Sequence, residues 1–135
     1  MKPFKQKLIP FIILLLAGCH DHDDHDHGPI TNVSFDWRLP VQGSTVRLGD
    51  SLRIEGSLSY PTEMHGYEVV VSKFQDSAVA LFSSSEHAHG TALTVGKKWK
   101  NGLADSTLLL VKVEVARDHS GTSNQVFRRT VLAVD

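Results

Sequence analysis

From residue 30 onward, apolar and polar side chains alternate with a period of two, and that period leaves little choice of fold. Val33, Phe35, Trp37 and Leu39 alternate with Asn32, Ser34, Asp36 and Arg38. Leu52, Ile54 and Leu58 alternate with Ser51, Arg53, Glu55, Ser57 and Ser59, and Leu109, Val111, Val113 and Val115 with Leu110, Lys112, Glu114 and Ala116. Successive side chains of a strand point to opposite faces, so each run reads as a strand with one buried face. Tyr67–Phe74, Val79–Ser83, Thr91–Val95 and Gln125–Val134 are further strand candidates. In the last of these, adjacent Arg128 and Arg129 spoil the alternation and predict a bulge. Turn-forming clusters separate the runs: Gln42-Gly43-Ser44, Gly49-Asp50, Tyr60-Pro61-Thr62, Lys100-Asn101-Gly102 and Asp118-His119-Ser120-Gly121. Gly96–Asp105 is expected to cross one end of the sandwich. About seven short strands with turns between them, and no helical stripe, predict an all-β, antiparallel β-sandwich over residues 30–135.

The first 29 residues follow another logic. Lys2, Lys5 and Lys7 precede an apolar run, Leu8 to Leu16, interrupted only by Pro10. This is the pattern of a bacterial secretory signal over residues 1–18, too short to cross a bilayer as a stable helix. It ends in Leu16-Ala17-Gly18-Cys19, and Cys19 is the single cysteine of the chain. The small Ala17-Gly18 pair before a cysteine resembles the cleavage site of bacterial lipoproteins. That resemblance implies acylation of Cys19 and anchoring to membrane lipid in the cell envelope, the outer membrane first, with the periplasmic or external face open. An ordinary signal peptide with a chance cysteine is the alternative. Residues 19–29 offer nothing to a core and read as a solvated tether.

Composition narrows the function. The 14 Lys and Arg, less the three signal lysines, leave 11 against 15 Asp and Glu, a formal charge of −4 for the mature chain. No basic patch marks a nucleic-acid partner. With one cysteine there is no internal disulfide, so packing must hold the domain.

The stretch from Leu39 to Leu52, Leu-Pro-Val-Gln-Gly-Ser-Thr-Val-Arg-Leu-Gly-Asp-Ser-Leu, and the closing stretch from Val113 to Thr122 resemble parts of bacterial immunoglobulin-like domains. The resemblance covers about residues 30–135 and implies an immunoglobulin-like sandwich; it says little of function. With the lipobox and the histidines added, the chain resembles a group of small Bacteroidetes lipoproteins. The Met-His-Gly-Tyr of Met64–Tyr67, the His-Ala-His of His87–His89 and the pair Asp118-His119 carry that likeness. A metal role for that group is itself an inference.

Eight histidines dominate the chemistry. His20, His22, His25 and His27 interleave with four aspartates immediately after Cys19, a composition suited to weak, many-state metal capture. A solvated acidic spacer or a surface-export signal would explain the aspartates alone. The other four are His65, His87, His89 and His119. If the run Leu52–Leu58 ascends, simple up-and-down threading puts His65, the pair His87 and His89, and His119 at one end of the sandwich, from three separate connections. His87 and His89, at i and i+2, would share a face about 6.6 Å apart along an extended chain. Imidazoles suit zinc first, with copper or nickel possible. Glu63, Glu86 and Asp118 are the neighbouring carboxylates that could complete or orient such a site. Taken singly, His65 and His119 also read as turn residues.

Other chemistry is thin. No phosphate-binding loop, catalytic carboxylate pair, CxxC pair or serine nucleophile motif is present, so no catalytic or organic-cofactor residues are assigned and no enzyme is expected. Trp99, among Lys97, Lys98 and Lys100, either packs on the sandwich or stacks on a sugar. The functional expectation is a lipid-anchored metal-binding protein that captures or buffers zinc or delivers it to a metal transporter or outer-membrane receptor. A glycan- or protein-binding surface module with incidental histidines is the rival, and a structural envelope lipoprotein without a ligand a third. The same threading starts the first strand at the histidine end, so the tether should leave from that end.

Overall fold

The computed structural model describes residues 32–121 and 124–135. The expected signal segment 1–18 and the tether 19–29, with Cys19, His20, His22, His25 and His27, lie outside the described residues. The described chain is built of eight strands: β1 (Ser34–Leu39), β2 (Thr45–Arg47), β3 (Ser51–Met64), β4 (Gly66–Lys73), β5 (Asp76–Glu86), β6 (Gly90–Lys100), β7 (Thr107–Ala116) and β8 (Asn124–Val134). They form two sheets, one ordered β1-β3-β6 and the other β2-β8-β7-β4-β5. The fold is an all-β sandwich. One pair departs from the antiparallel expectation: β2 runs parallel to β8. After β1 the chain crosses from the first sheet to the second without reversing, so its continuation meets β8 in the same sense.

The alternation acts as the sequence indicates. Leu52, Ile54 and Leu58 of β3 and Val95 of β6 face Val69 and Val71 of β4, Leu109, Val111, Val113 and Val115 of β7, and Val131 and Ala133 of β8, all buried. Each such valine or leucine contributes about 1.5–3 kcal/mol by leaving water. At the end remote from the histidines, fully buried Asn101 pins the β6–β7 crossing. Its Nδ2 donates to the Val46 carbonyl at 3.2 Å and its Oδ1 accepts from the Leu103 amide at 3.0 Å.

Three expectations are corrected. Tyr60-Pro61-Thr62 does not end a strand: β3 runs through it, and the β3–β6 register slips between Ser59 and Met64 instead. Pro61 thus sits where no ladder hydrogen bond is owed, as a proline inside a strand requires. Gly96–Lys100 is not part of the crossing but the second half of β6. Trp99 there pairs with Leu52 and packs half-buried against the core, the first of its two expected placements. The bulge expected at Arg128 and Arg129 is absent, and β8 pairs with β7 in unbroken register. Arg129 takes a core-side position at the sandwich margin, its guanidinium 5.1 Å from the Trp37 ring centroid and its Nη1 donating to the Pro40 carbonyl at 3.0 Å. An arginine can hold such a position because its flat cation stacks on an aromatic face.

Candidate metal centre

Three connections meet at one end of the sandwich, and each carries histidine. His65 alone joins β3 to β4, where the chain steps from one sheet to the other between buried Met64 and Gly66. Its amide donates to the Ala116 carbonyl at 2.9 Å, which ties this corner to the end of β7. His87-Ala88-His89 links β5 to β6, the second step between sheets. His119 lies in the β7–β8 connection, in a turn held by Asp118, whose Oδ1 accepts from the Ser120 amide at 3.0 Å and the Ser120 hydroxyl at 2.8 Å. Gly66 permits the close approach of the first two connections. Its φ is +127°, and a Cβ there would overlap the Glu86 carbonyl oxygen.

All four folded histidines come together. Ring centroids of His65 lie 4.0 Å from His119 and 4.9 Å from His89, and His89 lies 5.6 Å from His119. Taking one ring nitrogen from each, His65, His89 and His119 have these atoms within 4.8 Å of one another. Three points so spaced lie no more than about 2.8 Å from a common centre, so each nitrogen must move roughly 0.7 Å at most to reach a zinc–nitrogen bond length. Rotation of exposed side chains covers that. His65 is the anchored member: partly buried, with an Nδ1 that is enclosed and meets no hydrogen-bond partner. His87 stands outside the trio. Its Nε2 lies 3.0 Å from that of His89, and its ring is 6.3 Å from His119.

The carboxylates divide. Glu63 Oε1 lies 2.9 Å from His89 Nδ1, so the ring is turned with Nε2 towards the other imidazoles. Glu63 projects from the bulged part of β3, which is why this contact has no signature in strand periodicity. Glu86, expected beside the rings, is engaged elsewhere. Its Oε2 accepts from Lys97 Nζ and from the Tyr67 hydroxyl, both at 2.8 Å. The Lys97 hydrogen bond, then that of Tyr67, then the lysine charge hold the Glu86 carboxyl below its ordinary range. Burial first, then the bond to Glu86 and its charge, push the Tyr67 phenol up to about 12. Asp118 shapes its turn, as described.

The Tyr67–Glu86–Lys97 bridge was not foreseen. It spans β4, β5 and β6 and so fastens the open side of the two sheets just below His87 and His89. Its three residues are far apart in sequence, and only the facing of β5 and β6 brings them together. A cleft of about 260 Å³ lies beside the histidines, lined among others by His65, Glu68, His87 and Glu114. Described from its residues, this end of the fold is a cluster of imidazoles with one ring oriented by a carboxylate, an arrangement able to hold a metal ion. Compared with protein-family models and with curated proteins, the chain matches none.

Proposed function

We propose that the protein captures a divalent transition-metal ion, zinc first, at the histidine end of its sandwich, and does so as a lipid-anchored protein of the bacterial envelope. The observation that carries this reading is the trio His65, His89 and His119, whose nitrogens from three separate connections lie within 4.8 Å of one another. Three of the four imidazoles crowded at this end are exposed and add little to the core. An ion bond at Nδ1 would satisfy the one enclosed His65 atom that lacks a hydrogen-bond partner. An all-nitrogen, neutral ligand set suits zinc, and equally cupric copper or nickel, better than the oxygen-seeking calcium and magnesium.

We read the site as one of capture and delivery, which the imidazole trio and the carboxylate that orients one of its rings suffice to perform. The tract His20–His27 extends the reading. Val33 exchanges two hydrogen bonds of 2.9 Å with the Gln125 side chain, and β1 begins opposite Ser59, so the chain enters the domain at the histidine end. A tract close to that end would raise the local ion concentration and pass ions to the folded site, with a transporter or outer-membrane receptor as the onward partner. Elemental analysis after purification without a histidine tag, followed by zinc titration, tests the core of this. One tight equivalent should persist when the four tract histidines are replaced and should weaken at least about 100-fold in His89→Ala. Loss of all tight binding with the tract, or full binding in His65→Ala, His89→Ala and His119→Ala, overturns the reading.

A further inference from the structure

We propose that His87 is the exchange ligand of this site: it blocks the trio when no ion is bound, becomes the fourth ligand of a bound ion, and steps aside to let the ion enter and leave. This rests on the metal reading above and assigns unequal roles to the four folded histidines.

Two observations separate His87 from the others. The first is hydrogen-bond polarity. His89 Nδ1 faces the Glu63 carboxylate, which can only accept, so that nitrogen carries a proton; in the neutral ring His89 Nε2 then presents a lone pair. With both rings neutral, the 3.0 Å contact between His87 Nε2 and His89 Nε2 places the shared proton on His87. Without metal, His87 therefore covers the lone pair that an ion would use. When an ion takes that lone pair, the His87 hydrogen bond must break. The ring stays neutral by moving its proton from Nε2 to Nδ1 through water, and the freed Nε2 can bind. Two nitrogens bound tetrahedrally at zinc distances lie about 3.3 Å apart, close to the present His87–His89 spacing, so the exposed His87 ring needs to swing only towards His65 and His119.

The second observation is position. His87 is exposed and lines the cleft, as His65 does, whereas His89 and His119 do not. Glu68 and Glu114 stand directly opposite each other in the β4–β7 register on the wall of that cleft. Their paired charges favour a cation approaching from this side. His87 stands where that approach meets the trio.

The test uses cobalt(II) as the probe, with its ligand-sensitive visible absorption, in the full chain carrying alanine at residues 20, 22, 25 and 27. His87→Ala should still bind one cobalt(II), with affinity reduced no more than about tenfold. Its absorption should weaken as water replaces an imidazole, and release to a chelator in a stopped-flow mixer should be about tenfold faster or more. His89→Ala should lose about 100-fold or more in affinity. His87→Gln, which keeps bulk without an imidazole, should follow His87→Ala. A loss in His87→Ala as deep as that in His89→Ala overturns the unequal roles, because all four would then be equivalent ligands. Absorption and release unchanged from the chain with His87 intact also overturn them, because His87 would then not be a ligand. If that intact chain binds no cobalt(II) and no zinc, the metal reading itself falls. Circular dichroism identical across the series confirms that the folded state is being compared.

Discussion

Gly66 and Glu63 show how single residues set the geometry of the histidine cluster. Gly66 lets the corner at His65 pass against the Glu86–His87 backbone. Gly66→Ala places a Cβ on a carbonyl oxygen at a φ of +127°, so it should cost about 1–3 kcal/mol and weaken zinc binding as the His65 and His87 connections are forced apart. Thermal unfolding and titration of the same sample read both effects. Glu63 acts on His89 alone. Glu63→Gln removes the charge but keeps the shape, and should reduce zinc affinity about 10–100-fold with little change in melting temperature. An unchanged affinity would make the Glu63–His89 contact incidental.

The elements explain how the cluster is held in place. Two of its three connections step between sheets, and the Tyr67–Glu86–Lys97 bridge closes the sandwich next to them. Folding holds the Tyr67 proton more tightly than the unfolded chain does. Its contribution is therefore complete below pH 10 and is lost as the pH climbs towards 12. Tyr67→Phe should melt a few degrees below the parent at neutral pH, and that gap should narrow across this alkaline window. A gap independent of pH would mean that ring packing, not the hydroxyl, carries the effect. Much of this level was legible in advance. Alternation located β1, β3 and β7, and threading placed His65, His87, His89 and His119 at one end because reversal at each turn is all that such an inference needs. What stayed hidden depends on register. Pro61 signalled a departure from the ladder, but a departure within a strand and a turn between strands have the same local sequence. The slip that carries Glu63 to His89 was thus unreadable. Arg129 looked like a fault in β8 because a stacked cation on the inner margin breaks a polarity pattern without breaking the pleat.

For the whole molecule, binding and folding should be coupled. Zinc at about 100 times its dissociation constant should add about 2.7 kcal/mol, which raises the melting temperature of a domain of this size by roughly 10–20 °C. Imidazoles must be unprotonated to bind, so the rise should shrink as pH falls from about 7.5 to about 5.5. A rise equal at both values would assign the ion to carboxylates. Another consequence follows from the spacing of His65, His89 and His119 along the chain. No short segment contains the trio, and His65 and His89 sit at steps between sheets. A chain still in translation or in transit through a membrane pore has no such site. Metal occupancy would therefore certify completed folding, and, for an envelope protein as proposed above, a cell that supplies the ion only outside the cytoplasm would load only molecules that had already arrived and assembled.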